Sequence, residues 1–241
     1  MFYALGIIVT LLALIVVWLV RLTAPLDAEY DLIAILDLLP PSERITFHIS
    51  EDLRQMLGMM GYDQKQFSCA NRNGAFQALE DIRALADSGK RLILHIVSHG
   101  SRNGLWIKST DERIAWAELR QPLRSINEAQ KRTLIVNLSS CFGLHGIRVA
   151  KRNRPFYGVI GPSVELEVPT ARDLNRSFYT GMANGKPINV VVNEINAFAG
   201  DQVLFCITAG IYASPLRWMP LWISKPVLRI GVAVRHLLVR S

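Results

Sequence analysis

The sequence predicts an α/β domain in which a mostly parallel central sheet lies between two layers of helices, with a transmembrane helix before it. Short apolar runs that suit buried strands alternate along the chain with longer segments of helical periodicity, a pattern typical of parallel α/β sheets. The chain has 241 residues, of which 50% are hydrophobic and 20% charged. This composition and length indicate one globular domain, expected over residues 30–213. The composition also shows an excess of apolar residues.

The N-terminal run accounts for much of that excess. Residues 2–20 carry no charged side chain, and about 20 apolar residues in a helix span a hydrocarbon core of roughly 30 Å. Because no Lys or Arg precedes the run, we expect a retained anchor over residues 1–22, with a cleaved signal peptide as the alternative. Arg21 follows the span, so the positive-inside tendency favours a single-pass cell-membrane protein with a cytoplasmic domain.

The elements of the domain follow a short linker at residues 23–29. The first strand is expected at 30–36 or, alternatively, at 45–49. Two strongly apolar runs, at 91–97 and 133–138, suit strands buried on both faces, and further strands are expected at 157–161 and 203–208. Predicted helices lie at 51–60 after Ser50, 75–87 ending near Gly89, 116–126, 144–151, 170–183 and 187–198 with Pro187 in the first turn.

The formal net charge of +7 is concentrated in the C-terminal segment. Residues 217–241 include basic side chains and no acidic ones, so the preceding chain is close to neutral and gives no indication of nucleic-acid binding. A basic tail over 214–241 that carries Trp218 and Trp222 suits an anionic membrane surface. An ordinary C-terminal helix packed on the domain is equally compatible with the pattern.

Cysteine usage favours a reducing compartment. Cys69, Cys141 and Cys206 are odd in number and widely spaced, so neither a disulfide framework nor a four-ligand zinc spacing is indicated. This agrees with a cytoplasmic domain. Cys69 and Cys206 are interpreted as structural residues.

Two of the buried runs are followed by reactive side chains, His99 after 91–97 and Cys141 after 133–138. If the strands are parallel neighbours, both side chains emerge at the same edge of the sheet. An imidazole that takes the proton of a nearby thiol makes the sulfur a usable nucleophile. Gly100 lets the backbone approach a reacting carbonyl, and the N–H groups of Gly100 and Cys141 are candidates for an oxyanion hole. Either residue alone would more often be an inert core cysteine or a turn histidine, and their joint placement favours catalysis.

The other candidate histidines are given structural roles. His95 precedes His99 by four residues, so a metal pair is conceivable, but no carboxylate or third ligand accompanies it. We therefore expect a buried His95 bonded to backbone. His145 falls in the predicted helix at 144–151 and is expected to point away from the crevice. No metal ion or organic cofactor is predicted.

These motifs resemble the caspase-like cysteine peptidases of clan CD, most closely the bacterial CHAT peptidases. The resemblance implies a caspase-like three-layer sandwich in which His99 and Cys141 are catalytic. Two departures stand beside the nucleophile, where Ser140 replaces a usual Ala and Phe142 a usual small residue. The matching segments span about residues 65–200 and are Asn73-Gly74-Ala75, LILHIVSHGSRNGLWI, LIVNLSSCFG, YGVIGPSVELE and RSFYTGMANGKPIN.

The resemblance also indicates where a substrate pocket should lie. Metacaspases have an acidic residue two positions before the nucleophile, whereas this chain has Ser139, so a preference for Arg or Lys is not supported there. Ser139, Ser163 and Glu165 are expected to line the pocket. Glu165 or Glu167 could supply negative charge, although both also suit solvated loop positions.

The sequence thus predicts a membrane-anchored cysteine endopeptidase that acts on a protein or peptide substrate through a His99–Cys141 dyad. Two alternatives belong to other classes. One is a catalytically silent, membrane-tethered interaction module that keeps the fold. The other is a hydrolase or transferase that uses the same dyad on a different acyl substrate, such as a lipid-linked one.

Overall fold

A six-stranded sheet organises the part of the chain that the computed structural model describes, which comprises residues 29–150, 155–198 and, as backbone, 204–208. The predicted anchor at 1–22, the linker to residue 28 and the tail at 214–241 lie outside the described residues. Within those residues, no helix is both long and apolar enough to cross a bilayer. The described residues belong to one compact unit.

Nine strands are described, and six of them form the main sheet in the order β2-β1-β3-β7-β8-β9. The β1–β2, β1–β3, β3–β7 and β7–β8 pairs are parallel, and β9 runs antiparallel to β8. Strands β4, β5 and β6 form a separate antiparallel sheet. In chain order the strands are Leu32–Asp37, Gln64–Ser68, Leu92–Val97, His99–Ser101, Gly104–Ile107, Glu112–Ala115, Ile135–Ser139, Gly158–Pro162 and Leu204–Thr208.

Helices cover both faces of the sheet, since successive strand residues point to opposite sides and both sets are buried. Helices α2, α5 and α6 share one apolar core with alternate residues of β1, β3, β7 and β8. Helices α3 and α4 pack against each other, and α3 also contacts β1. In chain order α1 to α6 are Pro41–Phe47, Ile49–Met59, Arg72–Asp87, Arg120–Ala129, Val168–Ala183 and Ile188–Phe198, with a 3-10 helix at Gly143–Ala150.

The predicted α/β class with a mostly parallel sheet is confirmed, and the strongly apolar runs are strands. The alternative first strand at 45–49 is wrong, because Pro41 starts a helix there and the chain re-enters a helix at Ile49. The segment predicted as a helix at 144–151 forms the 3-10 helix. The helix predicted from 116 begins only at Arg120, since the Trp116 amide donates instead to the Asn103 carbonyl.

Three elements were not predicted from the sequence: β2, α1 and the β4–β5–β6 sheet. The edge strand β2 is partly exposed and lacks a continuous apolar run. The β4–β5–β6 sheet is built from strands of three or four residues. Such short elements carry too few residues for a periodicity to emerge.

The strand register brings the two predicted reactive residues to one level. Strands β3 and β7 are parallel neighbours, as predicted, and Val97 pairs with Ser139. His99 and Cys141 each follow that pair by two residues at the carboxyl edge of the sheet. The chain also reverses its direction of travel across the sheet between β1 and β3, the position at which open α/β sheets form their crevice.

Candidate active site

His99 and Cys141 border the same cavity, which has a volume of about 90 Å³. Its walls come from the segments that follow β1, β3 and β7 and from the start of α5. Both reactive residues are partly exposed, with the His99 side chain 30% accessible. A substrate atom can therefore reach both side chains from one opening.

Gly100 brings the segment after β3 against the backbone of Cys141. A Cβ atom added at Gly100 would lie 2.3 Å from the Cys141 carbonyl oxygen and 3.0 Å from Ser140 Cβ. Only a residue without a side chain permits this approach. Glycine at position 100 is thus required by packing at the site, in addition to any role in catalysis.

The first residue of β4 is His99, whose ring contacts Glu43 and Trp106. Its Nε2 atom lies 2.5 Å from Glu43 Oε2. Trp106 is its cross-strand partner, with ring centroids 5.8 Å apart. Lys108 Nζ donates to the other carboxylate oxygen of Glu43 at 2.7 Å. Because Nε2 is engaged by Glu43, Nδ1 is the ring atom available for exchange of a proton with a thiol.

Glu43 is held at the site by the residue after it. Arg44 forms an ion pair with the fully buried Asp37 at the end of β1, and its guanidinium also donates to the Asp37 and Cys69 carbonyl oxygens. Burial by itself would raise the pKa of Glu43, but hydrogen bonds from Lys108 and His99 outweigh it, so the pKa lies below its ordinary value. Glu43 is therefore a carboxylate at neutral pH, and its Oε2 accepts the hydrogen bond from His99 Nε2.

A loop after β8 covers the sulfur of Cys141. The Leu166 amide lies 3.4 Å from Sγ, and the Phe142 amide donates to the Val164 carbonyl at 2.9 Å. No hydrogen bond joins the His99 ring to Sγ, although both residues are described. Proton transfer between them thus needs a rotation of the His99 side chain or closer approach when a substrate binds.

The backbone around Cys141 is compatible with an oxyanion hole. Phe142 adopts a left-handed conformation with φ of 56°, which is unfavourable for a bulky residue. The sharp turn leaves the Cys141 amide with no acceptor among the described residues, whereas the next amide is satisfied by Val164. The role of the Gly100 amide stays a prediction.

His95 is buried as predicted, but its partners are side chains and not backbone. Tyr179 donates to Nδ1 at 2.8 Å, Nε2 lies 2.9 Å from Ser139 Oγ, and Ser139 in turn donates to Asn175 Oδ1 at 2.9 Å. Burial lowers the pKa of His95 to about 3, so the ring is neutral. His95 does not bond to backbone because the carbonyls of the strands on both sides are used by the sheet. Helix α5 instead presents polar side chains to the ring.

Three residues were expected to line the substrate pocket. Ser139 lines the cavity, whereas Ser163 is half-buried and Glu165 is exposed, and neither lines it. Their substrate-binding roles stay predictions.

Cys69 is buried and burial raises the pKa of its thiol, which suits a structural role. His145 lies in the 3-10 helix, its ring 6.1 Å from Phe142, and the side chain of Cys206 lies outside the described residues.

Glu43 is the main residue at the site that the sequence analysis missed. It lies in the Pro-Pro-Ser-Glu-Arg segment directly after an apolar strand, and the carboxyl end of a strand is where functional residues concentrate. That position was the available signal. The described residues contain no group of three or more His, Cys, Asp or Glu arranged to hold a metal ion.

No protein-family model matches the sequence, and no match was found among curated proteins. One matching solved structure is the X-ray structure of a secreted C11 cysteine protease from Bacteroides thetaiotaomicron in complex with an irreversible peptide inhibitor. The TM-score is 0.43 at 13% identity, and the match covers 68% of this chain and 59% of that one. This similarity is too low to establish a family, so the caspase-like and CHAT assignments stay predictions from the motifs.

Proposed function

We propose that this protein is a caspase-like cysteine endopeptidase, with Cys141 as nucleophile and His99 as general base and acid. The observation that carries the proposal is the meeting of the two side chains at one cavity, two residues beyond a paired position of adjacent parallel strands. The contact of Glu43 with His99 supports it, because a base oriented by a third group is typical of activated nucleophiles.

The chemistry follows from the contacts of each group. Cys141 gives its proton to His99 Nδ1, and the sulfur attacks the scissile carbonyl carbon. The resulting oxyanion is held by the Cys141 amide and, in this proposal, by the Gly100 amide. The C–N bond then breaks as His99 protonates the leaving amine. Water, deprotonated by His99, hydrolyses the thioester and restores the thiol.

Glu43 acts in this scheme as a positioning residue. It holds Nε2 of His99 and so directs Nδ1 to the reacting groups, and its charge favours the imidazolium that forms when the thiol is deprotonated. Lys108 fixes the other carboxylate oxygen and limits the rotation of Glu43. Lys108, Glu43 and His99 thus form a chain of contacts that runs from the exposed Lys108 side chain to the cavity.

We also propose that residues 1–22 anchor the enzyme in the cell membrane, with the catalytic domain in the cytoplasm. The uncharged run at 2–20 and the position of Arg21 after it support this. A reporter fused after Ser241 should give a cytoplasmic signal, and a periplasmic signal would contradict the orientation.

The test of the catalytic assignment is labelling of the full chain with a peptidyl electrophile that reacts with active-site thiols, followed by peptide mapping. Cys141 should be modified before Cys69, and Cys141→Ala should abolish both labelling and peptide cleavage. Cys69→Ala is the matched control and should retain both. Unchanged cleavage in Cys141→Ala would contradict the assignment of Cys141 as nucleophile. A folded protein that cleaves no peptide would leave the silent interaction module as the better account.

A further inference from the structure

We infer that the cavity beside Cys141 is a specificity pocket for an aliphatic side chain on the acyl side of the scissile bond. The inference rests on the proposed function, since it concerns the same site. When the carbonyl carbon lies at the Cys141 sulfur, the side chain of the residue that owns that carbonyl is close enough to enter the cavity. The walls of the cavity then decide which side chain is accepted.

The walls are mainly apolar. Three of the apolar side chains come from the segment after β1 and the following helices, and three come from the loop and helix after β8. An aliphatic group that enters would leave water and make contacts on several sides. These six residues are Leu39, Phe47, Ile49, Leu166, Val168 and Ala171.

The polar groups in the walls are hydroxyls that mostly have partners already. Ser98 donates to the His99 carbonyl at 2.7 Å. Ser139 donates to Asn175 and accepts from His95. Ser140 Oγ is buried and has no partner within the described residues. One free hydroxyl does not compensate a buried charge.

No carboxylate, lysine or arginine lines the cavity. Glu43 is engaged by His99 and Lys108 behind the ring. Along the loop, Leu166 faces the cavity while Glu165 and Glu167 on either side of it are exposed. An arginine or lysine side chain would therefore be buried without a counter-ion, and an aspartate would have no cation beyond the catalytic imidazole. The charge distribution disfavours both classes of substrate.

The size of the cavity narrows the choice further. The cavity has a volume of about 90 Å³. A cavity that takes up benzene is considerably larger, with a volume of about 150 Å³. Leucine, valine and alanine side chains fit this space better than aromatic ones. Because each methylene in such a pocket changes kcat/KM by roughly 10-fold or more, the preference should be measurable.

The experiment uses the full chain in detergent with peptide substrates that differ only in the residue before the scissile bond: Leu, Val, Ala, Phe, Arg or Asp. Cleavage after Leu, Val or Ala should exceed cleavage after Arg and Asp by at least about 10-fold in kcat/KM. Cys141-dependent cleavage that prefers Arg or Asp, or is indifferent to this residue, overturns the pocket assignment and leaves the peptidase intact. If no peptide is cleaved in a Cys141-dependent way, both the pocket assignment and the proposed peptidase are overturned. Hydrolysis of fatty-acyl thioesters in place of peptides would be one such result.

Substitutions in the wall give an independent readout. Val168→Asp should lower cleavage after Leu by about 10-fold or more and raise cleavage after Arg. Val164→Asp is the matched control, because Val164 lies four residues earlier in the loop that leads into α5, is 48% exposed and does not line the cavity. It should leave the preference unchanged. Ala171→Leu tests the pocket by size and should shift the preference from Leu towards Ala. An unaltered preference in both wall variants would contradict the inference.

Discussion

His95 and His99 lie four residues apart on one stretch of chain, and the structure places them in opposite environments. His95 is fully buried and bonded to Tyr179 and Ser139 inside the core. His99 is partly exposed at the cavity and faces the carboxylate of Glu43. Burial lowers the pKa of His95 to about 3 and holds its ring neutral, whereas the ring of His99 lies at the sheet edge and donates to a carboxylate. Proximity in sequence therefore says little about which histidine serves chemistry.

The two sites are nevertheless connected through Ser139. Its hydroxyl accepts from His95 and donates to Asn175, and the same residue forms part of the cavity wall next to Cys141. The buried chain of hydrogen bonds thus fixes the end of β7, from which Cys141 follows two residues later. We interpret the His95 cluster as the rigid support of the site and the His99 cluster as its reactive part.

The largest expected effect is on activity when His99 is removed. His99→Ala should lower kcat/KM for peptide cleavage by about 10³-fold, because general acid–base catalysis is worth about 10²–10⁴-fold. The midpoint of thermal unfolding should change little, since the ring is partly exposed. Steady-state kinetics and calorimetry on the same preparation measure both. A destabilised His99→Ala with retained activity would reverse the roles of the two histidines.

The complementary change at His95 should reduce stability strongly. His95→Ala removes a buried ring and leaves Tyr179 and Ser139 without a partner, so the free energy of unfolding should fall by about 3 kcal/mol. Urea denaturation followed by circular dichroism gives this value. Asn175→Ala is a useful comparison, because it breaks the next link of the same chain of hydrogen bonds while His95 keeps both its partners.

Much of this arrangement could be predicted from the sequence. The apolar runs before His99 and Cys141 are long enough to identify buried strands, and parallel pairing then brings their ends together. The position of Glu43 after an apolar strand could be read from the sequence, but its contact with His99 could not, because that contact depends on how Arg44 anchors α1 to Asp37. The partners of His95 were also out of reach, since Tyr179 lies 84 residues away and reaches the ring only through the packing of α5. Contacts across layers leave no local periodicity.

The role of Glu43 gives the next prediction. Glu43→Gln keeps the size of the side chain but removes its charge, so kcat/KM should fall by about 10- to 100-fold, less than in His99→Ala. The loss should lie in kcat, with KM nearly unchanged, because Glu43 contacts His99 and does not line the cavity. Glu51→Gln is the matched control and should leave kcat/KM unchanged, since Glu51 is 41% exposed, pairs with Arg54 and does not line the cavity. An unchanged kcat in Glu43→Gln, or a loss confined to KM, would contradict the positioning role.

The last prediction concerns the pH dependence of stability. His95 has a folded-state pKa of about 3, whereas an unfolded chain binds a proton at a pKa of about 6.5. Between these values the unfolded state holds more protons than the folded one, so stability falls as the pH is lowered below about 6.5. Going from pH 7.5 to 5.0, this histidine should reduce the free energy of unfolding by about 2 kcal/mol. Glu43, whose pKa is lowered, adds to acid sensitivity only near and below its ordinary pKa.

Urea denaturation of wild type and His95→Phe at both pH values isolates the contribution of the buried ring. Equal losses in the two proteins would show that the sealed environment of His95 does not hold it neutral and would remove the distinction from His99.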